Sequence, residues 1–270
     1  MRAALPGIFL LLSVASVGQV FKFSPVSKEI ILQRYSHAPA SNSDRRERMV
    51  RLFQSVGCTG ASLVEQKIAD SPDVNVICTL PGKSSEAILI GAHYESPAAE
   101  ELDDWSSASL LPSLYESLKR KQRDHTIIFA AFSSAAGPGT GSRWFLQQLP
   151  PEQTQALEGM VDLEILGLSP TKIWSQHSDV DLVRDLVAAM YSLKLPASQI
   201  DLSSSLQTDS DSFTGSHIPG IVLHSVTVQE GSHKKPSGFR PANYYQSYRL
   251  IGGYLALLDK TLKPRKEPGK

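Results

Sequence analysis

The sequence of 270 residues predicts an α/β protein with a mixed, mostly parallel sheet and helices on both of its faces. Two observations lead to this prediction. From residue 86 onward, short apolar runs that do not alternate with polar residues are separated by helical patterns, as is typical of parallel strands buried on both faces. Before residue 86, two strand-like runs are joined around Ser71-Pro72-Asp73, and this early hairpin makes the sheet mixed.

The individual elements follow from periodicity and from the residues that bound them. The second helix is an example, because Ser43 can cap its start while Met49, Leu52 and Phe53 share one face. The predicted helices cover residues 24–36, 42–58, 105–121, 140–149, 178–195 and 244–262. The predicted strands are apolar runs bounded by Gly, Pro or polar residues, and they cover 61–69, 74–82, 86–93, 125–133, 159–167 and 219–226.

Composition and charge limit the possible functions. The hydrophobic content of 41% and the charged content of 20% are ordinary for a globular protein. Twenty-seven basic residues balance 27 acidic ones, and no basic stripe stands out, so no nucleic-acid partner is expected. This length suits one large domain, which we place at residues 19–262, followed by a tail at 263–270 that is expected to be disordered.

The first 18 residues have the pattern of a signal peptide. Arg2 is followed by an apolar run, and Ser16 and Gly18 stand at the −3 and −1 positions of a cleavage site before Gln19. We therefore expect export to the periplasm, the endoplasmic reticulum lumen or the extracellular space. A buried N-terminal helix and an uncleaved anchor are the alternatives, and no membrane span is expected in the mature chain. In an exported protein, Cys58 and Cys78 could pair, and the sequence leaves this open.

Polar side chains collect where predicted strands end. His93 closes one strand, Glu95 follows it, Asp103 and Asp104 precede a helix, and Glu164 lies near the end of another strand. Imidazole and carboxylates from several strand ends can form a zinc or manganese site. Each residue also has an ordinary structural explanation, as a core histidine, a helix cap or an ion pair.

Seven motifs in order give the chain a family resemblance. They are "NVICTLPGK", "AILIGAHYES", "LDDWSSAS", "TIIFAAFSSAAGPGTGSRWF", "DLEILG", "TDSDSF" and "HIPGIVLHS". In this order they resemble the co-catalytic zinc aminopeptidase family, which also contains glutamate carboxypeptidase, glutaminyl cyclase and the non-peptidase ectodomains of nicalin, nicastrin and transferrin receptor. The similarity extends from about Glu47 to Leu262 and implies the three-layer sandwich of that family.

The resemblance implies one partial metal site. His93 matches a ligand, and Glu95 stands at the position of the carboxylate that orients it. Asp103 matches the metal-bridging carboxylate, with Asp104 beside it. A later aspartate ligand falls on Glu164, which is one methylene longer. These groups could hold a single zinc ion, the only cofactor that we expect.

The resemblance also implies that a second metal site is lost. Active members carry two glutamates before the Gly-Ser turn, the first as general base and the second as ligand; here these positions are Ala135 and Ala136. The histidine that is the last ligand falls on Ser210. Without the base, water activation loses a factor on the order of 10²–10⁴ in rate. His217, His224 or His233 could in principle replace a lost ligand.

We therefore expect an exported domain that is inactive as a peptidase and serves as a binding or scaffolding module for an unknown peptide or protein ligand. The alternative is a metal-dependent hydrolase that uses one metal or a rearranged site. A transferase of the cyclase type is a third option, which the retained residues favour less.

Overall fold

The structure is a computed structural model of the chain. It describes residues 23–69, 71–95, 104–133, 137–202, 207–226 and 238–264. The predicted signal peptide at 1–18, as well as Asp103, Ala135, Ala136 and His233, lie outside these residues.

Eight strands of the described chain form one sheet in the order β1-β2-β4-β3-β5-β8-β6-β7. The strands are β1 Leu63–Lys67, β2 Val74–Leu80, β3 Ala87–His93, β4 Thr126–Phe132, β5 Leu157–Leu163, β6 Lys172–Ile173, β7 Ser198–Gln199 and β8 Gly220–His224. The central strands β4, β3, β5 and β8 are parallel, whereas β1 and β2 form an antiparallel hairpin and β6 runs antiparallel to β8. The predicted mixed, mostly parallel sheet is confirmed.

Nine α-helices of the described chain surround the sheet. They are α1 Lys28–Tyr35, α2 Asn42–Ser55, α3 Trp105–Ala108, α4 Leu111–Lys119, α5 Thr140–Gln148, α6 Pro151–Ala156, α7 Val180–Leu193, α8 Asp209–Thr214 and α9 Pro241–Thr261. The predicted helix at 105–121 is divided into α3 and α4. The short elements α6, α8, β6 and β7 were not predicted, because segments of two to six residues are too short to show a period.

The core has two layers of side chains, one on each face of the sheet. Strand β3 is buried along its whole length, which explains why its sequence does not alternate. Ile88 and Ile90 pack in the layer that contains α2, α4, α7 and α9, whereas Leu89 packs in the layer that contains α5 and α8. The helices therefore lie on both faces, and the predicted three-layer sandwich is confirmed.

Helix α9 is the longest described helix, with 21 residues, and most of its length is buried. Its Asp259 accepts the backbone N–H groups of Asp124 and His125 at 2.7 and 2.9 Å, so the helix is fixed to the start of β4. In the described part of the chain, no helix is long and apolar enough to cross a bilayer.

A disulfide joins Cys58 to Cys78, the pairing that the sequence left open. Cys58 follows α2 and Cys78 lies in β2, and both are fully buried. Their Cα atoms are 6.3 Å apart, within the range of ordinary disulfides. The bond fixes α2 against the antiparallel edge of the sheet.

We expect the double variant Cys58→Ala/Cys78→Ala to lose about 3 kcal/mol of unfolding free energy. The reason is that the disulfide closes a loop with a sequence separation of 20, which restricts the unfolded chain. Denaturant unfolding of both proteins measures the difference. The wild type in a strong reductant is the control and should lose a similar amount; a wild-type midpoint that does not respond to the reductant would show that the bond is absent.

Candidate functional site

The candidate site lies at the carboxyl edge of the parallel strands. His93 is the last residue of β3, and Glu164 directly follows β5. Ala92 and Leu163 are paired in the register of these two strands, so the next residues along each strand are neighbours at the sheet edge. The structure therefore brings His93 and Glu164 to one place, as the motifs predicted. Asp103 lies outside the described residues, while Asp104 is described at the start of α3.

Helix α8 contributes a residue that the sequence did not identify. Asp209, its first residue, is fully buried, and its Oδ2 lies 3.3 Å from Nε2 of His93. The neighbouring Ser210 donates its backbone N–H to Oδ2 of Asp162 at 2.8 Å. The carboxylate of Asp162 was also missed, although it stands two residues before Glu164 in one strand and therefore on the same face.

Burial and charge act in opposite directions on His93. Burial lowers the pKa of the imidazole, but the carboxylates of Asp209 and Glu164, with smaller contributions from Asp104 and Asp162, raise it to about 9. The ring therefore carries a proton at neutral pH. The contact with Asp209 is consequently an ion pair between two buried groups.

The carboxylates of the site also hold protons more tightly than usual. Burial raises the pKa of Glu164 to about 7. The positive charge of His93 opposes this shift, and the charge of Asp104 adds to it. Burial raises the pKa of Asp162 far above its ordinary range, and Glu164 and Asp209 raise it further. Burial likewise raises the pKa of Asp209, while His93 lowers it. The shifts share one cause, the burial of several carboxyl groups beside a single imidazole.

Several polar atoms of the site are buried without a hydrogen bond. Among the described residues these are Nδ1 of His93, Oδ1 of Asp162, both carboxylate oxygens of Asp209 and Oγ of Ser210. Unpaired buried atoms are costly. The cleft therefore retains polar groups that are not needed to hold the fold together.

The space around Ser210, which the family resemblance assigns to the position of the last histidine ligand, is tight. The residue is fully buried in α8. A Cβ added to Gly220 would come within 1.9 Å of Oγ of Ser210, so the hydroxyl lies directly against the backbone of β8. In this packing, an imidazole at position 210 would have to displace its surroundings.

The loop between β4 and α5 is held in place by a buried amide. Oδ1 of Asn75 accepts the N–H of Ser133 at 3.0 Å, and its Nδ2 donates to the carbonyl of Gly141 at 2.9 Å. A Cβ at Gly141 would lie 2.4 Å from Oδ1 of Asn75, so this position requires glycine. Asn75 thus fixes Ser133 and Gly141, the former directly after β4 and the latter in α5; Ala135 and Ala136 lie outside the described residues.

Glu95, at the predicted His-orienting position, contacts the same loop. Its Oε1 accepts a hydrogen bond from the hydroxyl of Ser133 at 2.6 Å. Within the described chain, no hydrogen bond reaches Nδ1 of His93. Glu95 therefore joins the ends of β3 and β4, and its orienting role stays a prediction.

The described part of the candidate site holds an incomplete set of the predicted metal donors, because Asp103 lies outside the described residues. No group of three or more His, Cys, Asp or Glu residues in the described ranges is arranged to hold a metal. Nε2 of His93, a nitrogen that could bind a metal, instead faces Asp209. The single-zinc site predicted from His93, Asp103 and Glu164 includes a residue outside the described ranges and stays a prediction.

The histidines considered as replacement ligands lie elsewhere. Nδ1 of His224 accepts the N–H of Val226 at 3.2 Å, and its Nε2 lies 3.1 Å from the carbonyl oxygen of Ile200, so backbone groups engage both nitrogens. His217 is exposed and lines a separate pocket with His177. His233 lies outside the described residues.

Together, the fold and this edge define a class. A mixed sheet of this order, with imidazole and carboxylate groups at the carboxyl end of its parallel strands, is the architecture of a zinc-aminopeptidase-like domain. The chain belongs to peptidase family M28, whose family model matches residues 75–247. No curated protein matches the sequence.

Solved structures agree on the fold. The LapA aminopeptidase of Legionella pneumophila is 16% identical, with a TM-score of 0.72 over 88% of this chain and 73% of that one. A glutaminyl cyclase from an Acidobacteriales bacterium is 15% identical, with a TM-score of 0.70 over 88% of this chain and 97% of that one. The zinc aminopeptidase BSAP of Bacillus subtilis is 17% identical, with a TM-score of 0.58 over 67% of this chain and 49% of that one.

The burial of His224 predicts an acid-sensitive stability. Burial, with Lys172 adding to it, lowers the pKa of this imidazole from 6.5 to about 4, although the contact with Ile200 and the charge of Asp201 oppose the shift. The imidazole of His224 is therefore protonated below pH 6.5 in the unfolded chain, but only below about pH 4 in the folded chain. The stabilisation is present above pH 6.5 and is lost as the pH falls through this window.

Between pH 6.5 and pH 4, we expect the unfolding free energy of the wild type to fall by about 2 to 3 kcal/mol more than that of His224→Gln. Denaturant unfolding of both proteins across this range measures the difference, and the value for each protein at pH 7 gives its own baseline. Parallel curves for the two proteins would contradict the assignment.

Proposed function

We propose that this M28 domain is exported, is inactive as a peptidase and acts as a binding or scaffolding module for a peptide or protein ligand. The contact between His93 and Asp209 carries the proposal, because it engages the ring of the matched histidine ligand in a buried ion pair. A metal ion at this nitrogen would have to displace the proton and separate the ring from Asp209. The cleft thus lies where the family site is expected, but its histidine is engaged by a carboxylate instead of a metal.

Two further observations support the loss of peptidase activity. Ala135 and Ala136 replace the two glutamates that the family resemblance implies, and a methyl group can neither accept a proton from water nor hold a cation. Ser210 replaces the last histidine and is packed against Gly220. The general base at position 135, the metal ligands at positions 136 and 210, and the space for a histidine at position 210 are therefore all changed.

Export is supported by two independent features. The first 18 residues have the pattern of a signal peptide. The disulfide between Cys58 and Cys78 is of a kind that forms and persists in oxidising compartments. We therefore propose the periplasm, the endoplasmic reticulum lumen or the extracellular space as the location.

The second candidate function is a metal-dependent hydrolase with one metal or a rearranged site. The observation in its favour is the set of buried oxygens of Asp162 and Asp209 that lack hydrogen bonds. A cation among these oxygens would offset their desolvation. The two candidate functions differ in whether the protein binds zinc and becomes active with it.

We expect wild type to show no cleavage of aminoacyl anilides above the buffer rate, with or without added zinc. The reason is that no base stands at position 135 and His93 is paired. Initial rates and the zinc content of the purified protein measure this, with His93→Ala as the comparison. Zinc-dependent cleavage that His93→Ala abolishes would establish the hydrolase instead.

The control variant restores the missing groups. The triple change Ala135→Glu, Ala136→Glu and Ser210→His should lower the melting temperature, because a ring at position 210 disturbs the packing against Gly220. Zinc should then raise its melting temperature and leave that of the wild type unchanged, since only the variant has the ligands. The single change Ala135→Glu should behave like the wild type.

A further inference from the structure

A second pocket lies beside the cleft, at the same edge of the sheet. Its volume is about 440 Å³, within the range of small-molecule sites. Asp73 immediately precedes β2, which runs antiparallel to β4, so the start of β2 lies where β4 ends. The wall is completed by Arg46 from α2 and by Tyr94 and Glu95, which follow β3. We call this space the Asp73 pocket.

Asp73 is the most unusual residue of the pocket. It is only 5% exposed, and its Oδ2 is buried without a hydrogen bond. The backbone around it is fixed, because its N–H donates to Oγ of Ser71 at 3.2 Å and its carbonyl accepts the N–H of Ile68 at 3.0 Å. A buried carboxylate oxygen held in this way without a partner is costly unless a cationic group meets it.

The rest of the inner wall is also acidic. Glu95 is 3% exposed, and its Oε1 accepts from Ser133. Tyr94 also lines the pocket; its hydroxyl donates to the carbonyl of Val74 at 2.7 Å, and its side chain belongs to the hydrophobic core. Two buried carboxyl groups on one wall favour a cationic group such as an ammonium.

The remaining charged group of the pocket has the opposite sign. The guanidinium of Arg46 has its Nε 3.6 Å from Oε2 of Glu65, and this nitrogen makes no hydrogen bond. Its side chain is 32% exposed, so it is more open to solvent than Asp73 or Glu95. A guanidinium in this position can bind the carboxylate of a ligand through two parallel hydrogen bonds.

From this arrangement we propose that the Asp73 pocket binds a free α-amino acid. The ammonium group pairs with Asp73, and the carboxylate pairs with Arg46. Both charges of the zwitterion are thereby matched, and the unpaired atoms of Asp73 and Arg46 gain partners. This proposal goes beyond the function proposed for the cleft and holds whether or not the cleft is catalytic.

Calorimetric titration of the full chain with each of the 20 common amino acids tests the proposal. We expect at least one to bind with a dissociation constant of about 1 mM or tighter. The N-acetylated and the decarboxylated forms of that amino acid should each bind at least about tenfold more weakly, since each loses one charged contact. Equal binding of either form, or no binding by any amino acid, would overturn the proposal.

Variants locate the site. Asp73→Asn and Arg46→Gln should each weaken binding at least about tenfold. Glu65→Gln removes the carboxylate that competes for Arg46 and should strengthen binding about two- to fivefold, an effect that a purely structural role would not produce. Asp181→Asn, an exposed change on α7, is the matched control and should bind like the wild type. Binding that is unchanged in both Asp73→Asn and Arg46→Gln would also overturn the proposal.

Discussion

Charge balance at the carboxyl edge of β3 and β5 determines what this cleft can do. Asp162, Glu164 and Asp209 place three carboxylates beside a single imidazole, and Asp209 and Asp162 are fully buried. Desolvation makes an uncompensated cluster of this kind unfavourable. An ion pair between His93 and Asp209 offsets part of this cost. The pKa values of Asp162 and Glu164 are raised, which favours their uncharged forms.

Hydrogen bonds around the cleft hold the frame of the M28 domain in place. The N–H of Ser210 ties α8 to Asp162, and Asn75 holds both ends of the loop after β4. These contacts join backbone groups to the side chains of Asp162 and Asn75, and they are made without a metal. The layers of the sandwich are therefore held at this edge by contacts that do not depend on the proposed loss of the zinc-binding and water-activating groups.

The sequence was sufficient for the central sheet, because strands such as β3 are long, apolar and buried on both faces. It was not sufficient for β6, β7 and α8, whose few residues show no period. His93 and Glu164 were predicted as neighbours because both close parallel strands. Asp209 was missed because its role comes from the approach of α8, a tertiary contact that no local pattern encodes. The pairing of Cys58 with Cys78 likewise depended on a distance between Cα atoms that only the fold supplies.

A crystal structure of the wild type grown with excess zinc, with anomalous data collected at the zinc edge, tests the charge balance most directly. The account predicts no anomalous peak in the cleft and a contact of about 3.3 Å between Nε2 of His93 and Oδ2 of Asp209. A zinc peak bound by Nε2 of His93, with Asp209 turned away from the ring, would contradict it.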